Sequence, residues 1–379
     1  MPVIFAAMTT LNFIIWNASP EIFSIPIKFW IIDFTLTLRW YGLFFALGFL
    51  ISQQILYYMF KQEGKPEKDV DTLTIYMVIA TIIGARLGHV LFYGDEQFGP
   101  LWYLQHPIEI LKVWEGGLAS HGGAIGILVA LWLYSRKKKP GQNYLQTLDR
   151  IVILVALTGA LIRFGNVMNS EIIGKPTESD YGVVFARNVT DALMKDDNIE
   201  DVQYVKDDST ESIAGYQPIK ILVEFKPNPV NTAEVFAEHT ESVVGDILSS
   251  HPRVREHIFQ PGPLDYSLSQ DESGTYFAII RTNAIPRHPA QLYESISCLL
   301  LFGFLLWLWF QHKLNLPEGR LFGIFLIVCF GLRIVWEFMK INQVDFENEL
   351  PLNMGQILSI PLVLFGIFIL VRSYRVKQK

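Results

Sequence analysis

Seven apolar blocks alternate with short polar stretches along the chain, at Trp40–Phe60, Thr72–Phe92, Leu118–Tyr134, Ile151–Arg163, Ser295–Phe310, Leu321–Phe338 and Met354–Val371. A helix rising 1.5 Å per residue needs about 20 apolar residues to cross a hydrocarbon core of about 30 Å, so blocks of this kind predict membrane spans. One such block would suit a buried helix of a large soluble protein, but seven would not. Lys and Arg in the short loops and termini are unequal: fourteen fall after spans one, three, five and seven, and four before span one and after spans two and six. Positive charge is retained on the cytoplasmic side, which places the N-terminus outside and the C-terminus inside. The expected fold is an all-α polytopic membrane protein of seven transmembrane helices carrying a small α+β extracytoplasmic insertion.

The chain divides into four parts: an interfacial arm over 1–39, spans one to four with the start of an outer head over 40–185, an acidic insertion over 186–284, and spans five to seven over 285–379. The arm has no basic leader, is broken by Asn17, Pro20, Glu21, Pro26 and Lys28, and alternates like a strand over Phe34–Leu38. In the insertion, Ile219, Ile221, Val223 and Phe225 alternate as in a half-buried strand, and Tyr276–Ile280 reads as a second. Asn231 with Glu234 marks a helix start, followed by a stripe of Val235, Phe236, His239, Val243, Val244, Ile247 and Leu248. Asp196, Asp197, Asp207 and Asp208 lack calcium-loop spacing and read as solvated charges.

Composition agrees with this division. Of 379 residues 51% are apolar and 18% charged, where soluble proteins carry about a quarter charged. That excludes disordered, collagenous and disulfide-scaffold classes. The segment Phe164–Ala290 carries twenty acidic and ten basic residues, leaving the remainder of a chain of net charge −6 at +4. Cys298 and Cys329 fall inside spans as small packing residues, with no zinc spacing. Neither a metal, a cofactor nor a nucleic-acid partner is expected.

A charge at the centre of a span costs about 2.5–3.5 kcal/mol on insertion scales, so polar residues at membrane depth form the functional shortlist. They are Arg86, His89, His121, Arg163, Asn166, Glu294, Arg333 and Glu337. For Arg86 and His89 a helix-locking role competes evenly with a functional one. His121 lies in Glu115-Gly116-Gly117-Leu118-Ala119-Ser120-His121-Gly122-Gly123, where glycine density implies close approach by another helix or by a ligand. Arg163, Asn166 and Asn169 share one helical face, a guanidinium and two amides suited to a phosphate. A third cluster runs Arg287-His288-Pro289-Ala290-Gln291-Leu292-Tyr293-Glu294, and Arg333 and Glu337 lie one turn apart on span six. Together these predict chemistry on an anionic lipid headgroup.

The same segments resemble the prolipoprotein diacylglyceryl transferases of the bacterial cytoplasmic membrane. The resemblance is carried, in the family's order, by Arg39-Trp40-Tyr41-Gly42, Gly84-Ala85-Arg86-Leu87-Gly88, His121-Gly122-Gly123, the block Arg163 to Gly174, His288 to Glu294, Arg333 with Glu337, and Met354 to Ser359. The R-x-G-N-x-x-N-x-E-x-x-G spacing of the fourth is the most specific.

It implies transfer of an sn-1,2-diacylglyceryl group from phosphatidylglycerol to the lipobox cysteine thiol of a preprolipoprotein, with release of glycerol phosphate at the extracytoplasmic leaflet of the inner membrane. The substrate partners are then phosphatidylglycerol and the signal-peptide lipobox segment, within membrane lipid. By resemblance His121 is the base or proton relay, Arg163 and Arg333 clamp phosphate, and Tyr41 and Asn166 position the headgroup. Asn169 and Glu294 join the binding set, Glu171 and Glu337 orient the arginines, Gly174 permits close backbone approach, and His288 is a secondary candidate. No enzyme cysteine is needed, because the substrate supplies the thiol. The chain departs from the family pattern with Ile162, Val167, Ser170, Lys175 and Ala290 at motif positions, and lacks a tyrosine often found before the span-six arginine. The insertion is larger than the usual outer head; it either serves the site or is a tolerated surface addition.

Overall fold

The computed structural model describes residues 13–29, 32–92, 102–113, 117, 119–179, 181–208, 213–227, 232–341, 347 and 349–377. Glu115, Gly116 and Leu118 of the glycine-rich block, Asn231, and the chain before Phe13 lie outside these described residues. Among them, seven helices have 16 or more residues: α1 (Trp40–Gln62), α2 (Lys68–Phe92), α3 (Ser120–Ser135), α4 (Tyr144–Met168), α5 (Ala290–His312), α6 (Arg320–Glu337) and α7 (Met354–Lys377). Five of them (α1, α2, α4, α5 and α7) are long and apolar enough to cross a membrane. The 16-residue α3 is apolar but shorter, and the 18-residue α6 carries Arg320, Arg333 and Glu337.

By contact the chain forms two compact units. One comprises Phe44–Ile162, Ser295–Ile334 and Met354–Lys379. It is built of helices whose outward side chains are apolar: Leu300 and Phe368 are 70% and 63% exposed. Its interior gathers Leu56, Leu73, Leu131, Ile153, Leu305 and Phe325, one from each of α1 to α6. Helix α4 is central, with 56% of its most apolar stretch buried against 22–28% for the other four long spans. Charge is buried at one end: Glu63 pairs with Arg150 at 2.9 Å and Lys65 at 2.5 Å and accepts from Trp309 Nε1 at 2.7 Å. Asp149 accepts the backbone N–H groups of Gly319 and Phe322 at 2.7 and 2.9 Å, capping the start of α6 from α4. These buried charges explain why the sequence reading foreshortened span four to Ile151–Arg163. Asp149 and Arg150 look like a helix terminus in a hydropathy profile, but tertiary partners let the helix continue through them.

The other unit comprises Met1–Leu43, Arg163–Glu294 and Val335–Asn353. It is not all-α. A ribbon of β2 (Glu21–Phe29) and β3 (Ile32–Arg39) follows β1 (Ile14–Trp16), which pairs in parallel with β4 (Val183–Phe185). The insertion folds around β5 (Ile199–Lys206), β6 (Gln217–Phe225), β7 (Ile258–Phe259), β8 (Asp265–Gln270) and β9 (Tyr276–Ala284) in order β5-β6-β9-β7, with β8 also on β9. Every pairing there is antiparallel. Ile219, Ile221, Val223 and Phe225, chosen by alternation, are fully buried. The helix begins at Ala233 after Thr232, and Phe236, Thr240, Val244 and Leu248 face the core while Val235 and Val243 are exposed. Asp207, expected as a solvated charge, is buried and paired with Lys220 at 2.9 Å. Asp196 holds His239 at 2.6 Å.

Candidate functional site

Helix α4 extends past Arg163 to Met168, which puts Arg163 and Asn166 one turn apart with Arg163 Nη1 donating to Asn166 Oδ1 at 3.3 Å. The chain then turns sharply. Ser170 and Ile172 both take left-handed φ, at 52° and 57°, and bracket Glu171. For a β-branched residue this conformation is a strained outlier, of the kind stored at functional sites. The turn presents the Glu171 carboxylate to the amides of Asn166 (2.7 Å) and Asn169 (3.2 Å). Gln291 holds it by donating to the Glu171 carbonyl at 2.5 Å. Asn169 Oδ1 is a buried acceptor with no protein partner among the described residues. Gly165 lets α1 approach, since an added Cβ would lie 3.1 Å from Tyr41 Cα and from its ring; Tyr41 thereby sits against this turn. The N–H of Gly174 donates to the His288 carbonyl at 3.0 Å, and a Cβ there would come within 2.7 Å of His288 Cβ. His288 Nδ1 meets the Tyr293 hydroxyl at 3.3 Å.

The arginine is gripped by a residue other than those expected to orient it. Glu294, on the first turns of α5, pairs through Oε2 with Arg163 Nε at 2.7 Å. Its second oxygen meets Lys340 Nζ at 2.6 Å, and Lys340 also pairs with Glu337 at 3.0 Å. Asn353 donates to the far oxygen of Glu337 at 3.3 Å. Glu171 therefore orients the amides, Glu294 the guanidinium, and Glu337 a lysine. Sequence reasoning missed Lys340 because it counted only as a loop charge. Its place three residues after Glu337, at the end of a charged helix, was the available signal.

His121 and Arg333 belong to the helical unit. His121 is the second residue of α3 and is exposed. The glycines beside it make a helix crossing. A Cβ on Gly88 would lie 2.8 Å from Gly122 Cα, and Gly84 and Gly126 are equally crowded by the backbone of the opposite helix. Arg86 is a strap: its guanidinium donates to the carbonyls of Ile110 (2.9 Å), Glu109 (2.5 Å) and Gly117 (3.2 Å) and lies over the Tyr103 ring. Gly117, at φ 66°, leaves no room for a side chain beside His89 Nε2, 2.6 Å from where its Cβ would be. Arg86 is thus engaged in holding this loop, with His89 close beside Gly117. Among the described residues no three His, Cys, Asp or Glu side chains gather as a metal site.

The family model described as prolipoprotein diacylglyceryl transferase matches residues 26–372. The chain belongs to that family. It is 34% identical over 371 residues to a phosphatidylglycerol--prolipoprotein diacylglyceryl transferase of Chloroherpeton thalassium, covering 98% of both chains. Proteins of the same name from Tolumonas auensis and Bacteroides fragilis are 32% and 31% identical. These alignments cover 96% and 93% of this chain and 99% and 92% of the relatives. With its long apolar helices, this member of the transferase family is a multi-pass membrane protein. Ser170, in the turn after α4, is also notable for its backbone. It takes a backbone angle that glycine adopts without strain.

Proposed function

We propose that this protein transfers the sn-1,2-diacylglyceryl group of phosphatidylglycerol to the lipobox cysteine of a preprolipoprotein, the first step of lipoprotein maturation. The observation that carries this reading is Arg163, held by Glu294 through Nε and by Asn166 through Nη1, beside an amide whose acceptor is unfilled. A guanidinium fixed along one edge suits the phosphate that becomes the leaving group when the lipid's C–O bond breaks. Asn169 Oδ1 offers an acceptor to a headgroup hydroxyl, and Tyr41 and Asn166 position the glycerol. The resemblance assigns removal of the substrate thiol's proton to His121 as the thioether carbon–sulfur bond forms, and assigns to Arg163 and Arg333 the charge of the departing glycerol phosphate.

In this reading the chain has seven spans with the N-terminus outside, in the bacterial inner membrane, and acts at the extracytoplasmic leaflet; the fourteen-to-four distribution of short-loop cations supports that orientation. The arm over 1–39 is interfacial, because its ribbon carries exposed Phe23, Ile25 and Leu36 on one face and bonded Ser24 and Thr37 on the other. Residues 186–284 form the extracytoplasmic insertion.

The test is mass spectrometry of a lipobox peptide incubated with the purified protein and phosphatidylglycerol. The wild type adds a diacylglyceryl mass at the cysteine, and Arg163→Ala and His121→Gln each lose it. No adduct from folded, lipid-supplied wild type would sink the assigned substrate pair, and competing headgroups would then be tried.

A further inference from the structure

Arg163, Glu294, Lys340 and Glu337 form a line of alternating charge, linked at 2.7, 2.6 and 3.0 Å. The side chain of Lys340 is 4% exposed, those of Glu294 and Glu337 7% and 11%, and that of Arg163 25%. The network thus opens toward solvent at its arginine end and closes at its lysine end. The backbone of Lys340 is pinned as well. It bridges to Gly174, its N–H bonds the Glu337 carbonyl at 3.3 Å, and the preceding carbonyl of Met339 accepts from Lys175 N at 2.7 Å.

A buried ammonium between two carboxylates is costly to place and strongly ordered once paired. Its removal leaves Glu294 and Glu337 facing one vacated position, two like charges in a dry setting. Glu294 is then driven from the orientation in which one oxygen serves Arg163 and the other Lys340. The guanidinium loses its fixed edge, and displacements of this kind, even far from the reacting atoms, slow chemistry.

We propose that Lys340 is a positioning residue for Arg163, acting through Glu294. The proposal rests on the reading of Arg163 as the phosphate clamp, and it adds that the clamp is set by a lysine that does not itself touch the lipid.

The experiment measures, on the full-length protein in lipid nanodiscs, both transfer kinetics and binding of a spin-labelled phosphatidylglycerol. Wild type, Lys340→Met, Lys340→Arg, Arg163→Ala and the double variant Arg163→Ala/Lys340→Met are compared. Lys340→Met is expected to lower kcat by between about ten and a hundredfold with the peptide KM unchanged, and Lys340→Arg to restore most of it. In the Arg163→Ala background, where transfer is lost, Lys340→Met adds nothing to the change in lipid binding, because the residue it positions is gone. Should Lys340→Met fail to fold, Lys340→Met/Glu337→Gln, which removes one carboxylate together with the ammonium, takes its place. Wild-type constants in the lysine variant, or a loss of lipid binding on top of that of Arg163→Ala, would overturn the proposal. A wild type that binds the lipid without transferring it sinks the assigned reaction alone, and lipid binding across the same variants then decides the role of Lys340.

Discussion

The helical unit and the insertion solve opposite problems. In the helical unit Leu300 and Phe368 point outward while Glu63, Asp149 and Arg150 are buried; in the insertion Ile219, Ile221, Val223 and Phe225 are buried and the charges mostly lie outside. The difference follows from the solvent. Lipid tails are as apolar as leucine, so little is gained by hiding an apolar side chain from them, and helices are held by close packing and by polar locks. Water rewards apolar burial directly, at roughly 25 cal/mol per Å². The same side chain therefore has different worth in the two regions.

The largest expected effect breaks this contrast at its strongest point. Phe225→Ala should destabilise the insertion by about 3–5 kcal/mol, read as faster amide hydrogen exchange across β5, β6 and β9. Leu300→Ala, the loss of a comparable apolar side chain on the helical surface, should stay within about 0.5 kcal/mol in lipid. Equal losses would mean that the helical surface is covered by something other than lipid.

Acid should act on the insertion next. His257 is fully buried, 2.9 Å from the Asn188 amide, and burial together with the Arg287 charge pushes its imidazole down to about 3. The folded histidine stays neutral while the unfolded one takes up a proton below about 6.5. The unfolded state binds more protons in that window, so stability is flat above pH 6.5 and falls as pH drops toward 3. Exchange-derived stability of the insertion should decline by about 2–3 kcal/mol by pH 4.5, and His257→Gln should remove the slope.

The helical unit should answer instead to a single methyl group. Gly122→Ala forces α2 and α3 apart at their tightest crossing, where an added Cβ would meet Gly88 Cα at 2.8 Å. A loss of about 1–3 kcal/mol, read as a lower melting temperature in detergent, is expected. A neutral outcome would show that the helices separate without cost.

The smallest effect is a gain. Ser170→Gly relieves a left-handed residue beside Glu171 and should stabilise the protein by about 1 kcal/mol. If transfer activity falls while stability rises, the strain belongs to the mechanism; if both rise, it is incidental.

Legibility differed between the regions for related reasons. Strand β6 could be read because its apolar alternation is broken only by Leu222, whereas β5 was not foreseen: a register shift between Ile199 and Asp201 interrupts its period. The start of α4 was hidden by Asp149 and Arg150, whose partners are distant in sequence. In the site, Arg163, Asn166 and Glu171 were legible as a spaced motif. Lys340 was not, because a lysine after a span looks the same whether it is solvated or locked between two carboxylates.

The sequence by itself determined the apolar blocks, the separate acidic insertion, the motif around Arg163 and membership in the transferase family, since each depends on residue type and spacing along one stretch of chain. Only the tertiary structure decided that Glu294 rather than Glu171 grips Arg163, that Gly122 serves a helix crossing, that Arg86 is a strap, and that Lys340 joins two carboxylates. Those are choices among partners of matching charge and shape, and which partner comes within 3 Å is set by how the helices and loops pack.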